Sequence, residues 1–259
     1  MITKKSPNEI EVLRVGGKIL AEILAELIRQ AKPGVKTIEL DELAEKLIIE
    51  KGGVPSFKNY KSYPDEVPFP STICASVNNQ LVHSPPGDYK LQNGDILSID
   101  IGMKYPAFGV GYFTDLAATI PIGKIPALTR KLLKVTEKSL ALGISQIKAG
   151  NHLFDISKTI QKYVESQGFS VVRQLVGHGV GYQVHEEPRI PNFFDPKQKD
   201  IKLESGMVLA IEPMVNIGAP AVIFSPTSWA VVTADGSLCA HFEHTVVVTE
   251  DGYEIITKL

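Results

Sequence analysis

A shift of 116 residues lays one part of this chain on another. It puts Gly34 on Gly150, Leu40 on Ile156, Ala44 on Ile160, Leu47 on Tyr163, Ile48 on Val164 and Gly52 on Gly168. The apolar matches keep helical spacing, and a glycine stands at each end of both copies. In both copies the segment follows another helical stretch and precedes a run of strands. Two helices then strands, written twice, point to an α+β architecture with helices covering one face of a curved sheet. The chain has 259 residues, 44% of them hydrophobic. That suffices for a sizeable core in a single catalytic domain of two fused halves, expected at roughly 1–122 and 123–259.

Local signals fill in this outline. Ser6-Pro7-Asn8-Glu9 is a helix start with a capping serine, proline in the first turn and a capping-box glutamate. Ile10, Leu13, Leu20, Leu24, Leu27 and Ile28 carry the apolar face, and Pro33-Gly34 ends it. Gly16-Gly17 inside that helix predicts close packing against a neighbour. A second helix is expected from Thr37 to Lys51, then a loop from Gly53 to Pro70. Asp95–Met103 and Val110–Ile120 read as a hairpin joined by Lys104–Gly109. Helices follow at Pro126–Lys148 and His152–Gln167, and Val171–Val248 is mostly strand and turn.

The net charge of −2, with both signs mixed along the chain, gives no electrostatic case for nucleic acid or an anionic membrane. Cys74 and Cys239 cannot make a disulfide framework or a thiolate zinc motif, so a reducing compartment is expected. No stretch approaches the ~20 apolar residues of a membrane span. Met1–Val12, with Lys4, Lys5, Glu9 and Glu11, lacks the apolar core of a signal peptide. A cytoplasmic protein is the expectation.

The chemistry is sought where acids sit in apolar strands, because a buried charge needs a partner. Asp100 lies in Ile99-Asp100-Ile101, and Asp115 in Thr114-Asp115-Leu116 on the partner strand. On a hairpin the two come side by side, and a metal ion resolves their repulsion. Glu212 follows Leu209-Ala210-Ile211, and Glu243 precedes His244-Thr245-Val246. His178 lies in Gly177-His178-Gly179-Val180-Gly181, where glycines permit close backbone approach. Four strand carboxylates with one imidazole suit Mn, Fe, Co or Zn in a hydrolytic pair site. His152 and His241 are read as ordinary surface or core residues. His185-Glu186 is not HExxH, because Arg189 takes the second histidine position and Pro188 would break the helix. The glycines around His178 lack GxGxxG spacing, and no phosphate loop or GxSxG elbow occurs.

These five residues stand in the order and local contexts of the metal ligands of type I methionine aminopeptidases. From about Pro7 to Glu254 the chain resembles that family, including Ile99-Asp100-Ile101-Gly102, His185-Glu186-Glu187-Pro188, Glu212-Pro213-Met214 and Phe242-Glu243-His244-Thr245. The resemblance implies the pita-bread fold, two pseudo-symmetric halves with a curved, mainly antiparallel sheet covered by helices. It implies two divalent metal ions, Co, Mn, Fe or Zn. Asp100 would chelate one, Asp115 and Glu243 would bridge both, and His178 with Glu212 would complete the second site. Glu212 would also move the proton, His83 would contact substrate near the scissile nitrogen, and His185 would stabilise the oxyanion. The methionine pocket would be Phe57, Tyr60, Phe69, Cys74, Val184 and Trp229.

The implied activity is removal of the initiator methionine from nascent polypeptides, at the ribosome, before a small second residue, by a monomer. Neither nucleic acid nor membrane is an expected partner. The chain departs from the family at Ser84, where glycine is usual, and at Val184, where phenylalanine is common. Lys61–Val67 and the Asp100–Asp115 hairpin look longer than usual. Proline-specific peptidases of this fold tend to read Glu-Pro-Gly where this chain has Glu212-Pro213-Met214, and metal-free binding proteins of this fold have eroded ligands.

Overall fold

The structure is a computed structural model describing residues 2–258. Among these, four helices are formed: α1 (Pro7–Gln30), α2 (Thr37–Glu50), α3 (Ala127–Ile144) and α4 (Leu153–Ser166). The first half contributes strands β1 (Val54–Pro55), β2 (Ile73–Val77), β3 (Gln80–Val82), β4 (Ile96–Tyr105) and β5 (Tyr112–Pro121). The second contributes β6 (Ser170–Val171), β7 (Gly177–Gly179), β8 (Glu186–Ile190), β9 (Val208–Ile211), β10 (Met214–Asn216), β11 (Val222–Phe224), β12 (Val231–Thr233), β13 (Cys239–His241), β14 (Glu243–Val248) and β15 (Tyr253–Ile255).

The start of α1 follows the sequence signal. Ser6 caps it, the Glu9 side chain returns to the Ser6 N–H, and Pro7 stands in the first turn. The repeat holds to the residue in the second helix of each pair, since α2 and α4 both have 14 residues and start at Thr37 and Leu153, 116 apart. The glycines that end them, Gly52 and Gly168, have φ of +80° and +84°, and Gly34 and Gly150 before them have +94° and +97°. An isolated bridge pairs Lys36 with Lys90, and another pairs His152 with Lys202. Helix α3 stops at Ile144 rather than Lys148. Gln146 and Ile147 N–H groups there bond to carbonyls three residues back, and the Asn151 amide caps the Gln146 carbonyl.

The main sheet has nine strands, ordered β1-β4-β5-β14-β9-β7-β8, with β2 on β4 and β15 on β14. All its pairs are antiparallel. The β4–β5 hairpin runs further than its sequence suggests, because Tyr105 still pairs with Tyr112 and packs against Gly16 of α1. The expected loop after Gly53 includes β1, which pairs with β4. Odd-numbered residues of β4 (Leu97, Ile99, Ile101, Met103) face α1 and α2 in one core. Leu209, Ile211, Val246 and Val248 face α3 and α4 in the other. Alternation therefore turns Asp100, Asp115, Ala210 and Glu243 to the face away from the helices.

Gly17 fixes how α1 lies on the C-terminal segment. A Cβ there would stand 2.4 Å from the Ile256 carbonyl oxygen. Gly17→Ala is therefore expected to lower stability by about 1–3 kcal/mol in urea unfolding. Gly87→Ala, with nothing within 4 Å, should stay within about 0.5 kcal/mol. Equal midpoints for the two variants would remove this account of α1 docking.

Candidate metal centre and its pocket

Five neighbouring strand positions bring the predicted charged residues together. Asp100 is on β4, Asp115 on β5, Glu243 on β14 and His178 on β7, while Glu212 directly follows β9. The registers place them in rows. Asp100 pairs with Ala117, and Ala117 pairs on its other side with Glu243. Asp115 lies two residues along β5 from Ala117, on the same face. It is thus a diagonal neighbour of Asp100, not the side-by-side partner expected from the hairpin, because Gly102 stands opposite it. In the second half His178 pairs with Ala210, and Glu212 lies two residues further along. The alanines leave the space that the charged side chains fill.

Backbone positions at the site are pinned. The Thr245 hydroxyl accepts from the Asp115 N–H at 2.9 Å and donates to the Asp115 carbonyl at 2.8 Å. The Asn192 amide donates to the Glu212 carbonyl at 3.0 Å. Gly177 lets β7 approach β9, since a Cβ there would lie 2.4 Å from the Ala210 carbonyl oxygen.

The residues present fit divalent cations. Asp115, His178 and Glu243 offer ligand atoms that all lie within 4.8 Å of one another. Asp100 Oδ1 and Glu243 Oε1 are buried without a hydrogen-bond partner, a costly state that a cation would relieve. His178 Nδ1 lies 2.9 Å from the Gly179 carbonyl, which can only accept. The ring proton therefore sits on Nδ1 and leaves the Nε2 lone pair facing Glu212 Oε1, 3.6 Å away. Burial raises the Asp100 carboxyl to about 6. Burial and then the neighbouring carboxylates, Asp100 first, push Asp115 well above its ordinary range, and Glu243 is pushed up likewise by burial and then Asp115. Burial lowers His83, His178 and His185 to about 4, so all three are neutral at pH 7.

Beside this face stands an apolar wall. Phe57, Phe69, Cys74 and Val184 form one buried cluster with Tyr60 and Trp229 packed on it. Together with the charged residues, Phe57, Tyr60, Phe69, Cys74 and Trp229 line one cavity of about 80 Å³, which opens into a wider surface groove, whereas Val184, expected in the pocket, packs on the wall without lining it. His83 lines both, its backbone held at φ +57°. His185 Nδ1 is 2.7 Å from the Tyr60 hydroxyl, and its ring stands edge-on to His178 at 4.5 Å. The Trp229 indole N–H donates to the Val67 carbonyl at 3.0 Å, tying the Lys61–Val67 segment to the pocket mouth. Burial, then Asp100, raises the Cys74 thiol, which keeps its proton.

Two features escaped the sequence reading. The first is a brace behind His185. Glu186 accepts from Lys5 Nζ at 2.7 Å, Thr3 Oγ1 at 2.6 Å and the Gln183 N–H at 2.9 Å, as well as from the Tyr182 N–H. The Lys5 and Glu186 side chains are only 1% and 7% exposed. The second is His241, expected to be an ordinary residue. Its Nε2 is 3.4 Å from Glu212 Oε2 and 3.9 Å from Glu243 Oε2. Its position two residues before Glu243 was the available signal, because residues so spaced in extended chain share a face. His152, by contrast, is the expected surface residue, with Nδ1 3.1 Å from Asp200.

A model of metallopeptidase family M24 matches residues 11–250. The chain belongs to this family. Among its relatives, methionine aminopeptidase 1 of Bacillus subtilis is 48% identical over 259 residues, covering 100% of both chains. The methionine aminopeptidase of Escherichia coli is 38% identical and covers 99% of this chain and 94% of its own. The crystal structure of methionine aminopeptidase from Thermotoga maritima superposes with a TM-score of 0.92 at 40% identity, covering 100% of both chains. A prolidase from Pyrococcus horikoshii superposes at 0.77 with 20% identity, over 98% of this chain and 63% of that one, and so shares the fold. The α+β pita-bread architecture expected from the sequence is the architecture of this M24 chain.

Raised carboxyl pKa values set the pH dependence of metal uptake. The upward shifts of Asp100, to about 6, and of Asp115 and Glu243 leave the metal-free cluster partly protonated in mildly acidic solution, and cations displace those protons, whereas neutral His178 has none to lose above pH about 4. Mn(II) titration at pH 6.5 is expected to release roughly one to two protons per chain, with apparent affinity falling as pH falls. Calorimetry in buffers of different ionisation enthalpy measures this. Binding without proton release would show that the cluster is ionised before the metal arrives.

Proposed function

We propose that Asp100, Asp115, His178, Glu212 and Glu243 hold two divalent metal ions, and that the adjoining apolar wall receives the side chain of an N-terminal methionine. The chain is a metal-dependent methionyl aminopeptidase that removes the N-terminal methionine from polypeptides. The observation that carries the residue assignment is convergence: five neighbouring strand positions aim four carboxylates and one imidazole lone pair at a cavity whose other wall is apolar. We take the chain as one catalytic domain whose halves, roughly 1–122 and 123–259, meet where β5 pairs with β14. We further propose that it works as a monomer in the cytoplasm, on nascent chains at the ribosome.

Divalent ions held there polarise the scissile carbonyl and make water a competent nucleophile near neutral pH. Glu212 takes the proton from the attacking water and passes it to the leaving amine as the C–N bond breaks. We take the Tyr60 hydroxyl, 2.7 Å from His185 Nδ1, as the donor of that pair, which places the ring proton on Nε2. That N–H faces the cavity and meets the oxygen on which negative charge collects. His83, neutral and held by its left-handed backbone, orients the peptide beside the scissile nitrogen. Phe57, Phe69 and Cys74, with Val184 packed against them and Tyr60 and Trp229 at the rim, give an unbranched thioether an apolar and polarisable slot.

The reading is tested with Met-Ala-Ser and an Xaa-Pro peptide after reconstitution with Mn(II), Co(II), Fe(II) or Zn(II). Methionine release from the first and no cleavage of the second are expected. Preference for the Xaa-Pro peptide would overturn it. Asp100→Ala should lose metal and lower kcat by at least about 100-fold, and full metal loading with normal turnover would remove Asp100 from the ligand set.

A further inference from the structure

We infer that His241 is a positioning residue for Glu212, holding the carboxylate from behind the cavity and setting how tightly its side of the centre binds a divalent ion. This rests on the reading of Glu212 as a ligand. His241 is 1% exposed at the end of β13. Its backbone is clamped by one hydroxyl, with Thr119 Oγ1 donating to the His241 carbonyl at 2.8 Å and accepting from the His241 N–H at 2.8 Å. The single Thr119 proton is thereby used, so Ser98 Oγ, 2.7 Å away, donates to Thr119 and completes the clamp. Pairing with Met214 of β10, two residues after Glu212, holds the strand in register.

The clamp leaves the ring few places to point. Both its nitrogens are buried without a hydrogen-bond partner, a state that costs free energy unless a partner is met. The nearest carboxylate oxygen is Glu212 Oε2 at 3.4 Å, with Glu243 Oε2 further away at 3.9 Å. Closing the shorter gap by roughly half an ångström makes an ordinary N–H···O bond. Glu212 thus stands between two imidazoles, with Oε1 3.6 Å from His178 Nε2 and Oε2 facing His241. His178 has spent its ring proton on Gly179, so of the two rings only His241 can donate to the carboxylate. A donor on Oε2 fixes the carboxylate plane and leaves Oε1 on the His178 side. His241 does not line the cavity that Glu212, Glu243 and Asp100 line, so it acts through Glu212 and not on substrate.

The test compares His241→Leu, His241→Gln and Glu212→Ala by Mn(II) calorimetry and by the visible spectrum of Co(II)-loaded protein. His241→Leu is expected to weaken one of the two Mn(II) equivalents by about 10–100-fold. The band of the corresponding Co(II) equivalent should move, and His241→Gln, which restores a donor, should recover most of the affinity. Glu212→Ala should weaken the same equivalent further. If Glu212→Ala loses an equivalent while His241→Leu binds both with wild-type affinity and spectrum, the positioning role is overturned and the metal reading stands. If Glu212→Ala itself binds both as wild type does, the ligand reading beneath it fails. Should His241→Leu not fold, Thr119→Val loosens the same clamp and is read by the same affinities and spectra, with wild-type values again overturning the role.

Discussion

Burying like charges beside one another is the constraint on which this site turns. Asp100, Asp115 and Glu243 are each buried on one face of one sheet, and two of their oxygens have no partner. Without cations the chain can only hold protons there, which is why their carboxyl groups are pushed up. Stability does not explain such a cluster, since apolar residues of similar size would fill the space at less cost. The rest of the molecule makes the cluster affordable. Two apolar cores on the helix side carry the burial that folding needs, and the charged face is left to chemistry.

The same burial acts oppositely on the imidazoles around the centre. His83, His178 and His185 are driven down to about 4 and stay neutral. Neutral rings present a lone pair to a metal or an N–H to substrate, as the hydrogen bond on the other nitrogen decides. The Gly179 carbonyl, which can only accept, decides it for His178. The loop that carries His185 is held by a charge pair of a different kind. Glu186 has four donors, among them the buried Lys5 ammonium, so that pair is satisfied within the chain and needs no metal. Two buried acids in one molecule, Asp115 and Glu186, are thus told apart by whether a cationic side chain reaches them.

Much of this was legible in the sequence, for identifiable reasons. Capping residues and a helical period fix α1, and the 116-residue shift fixes α2 against α4. Asp100 and Asp115 stood out because an acid flanked by isoleucine or leucine on a strand is out of place. The residues of the apolar wall could be named from resemblance alone, since aromatics in a loop carry no spacing that says they meet. Contacts across the fold left still less trace. Tyr60 meets His185 across 125 residues of chain and Lys5 meets Glu186 across 181, and no local pattern encodes either. The nearness of His241 to Glu212 left no mark because a single histidine in a strand is ordinary, and only its spacing from Glu243 hints at it.

Charge also accounts for the single imidazole among the proposed ligands. The registers set Asp100 opposite Ala117 with Asp115 two residues further on, and His178 opposite Ala210 with Glu212 two residues further on. Glu243 lies between the two sets, on the strand that pairs with both β5 and β9. A carboxylate in place of His178 would make five. On the proposed ligand set there are four, and two divalent ions balance them. A fifth would leave one negative charge uncompensated in a buried site, where such a charge is most costly. The neutral histidine keeps the coordination and removes the excess, so charge balance is a sufficient physical reason for an imidazole at this one position.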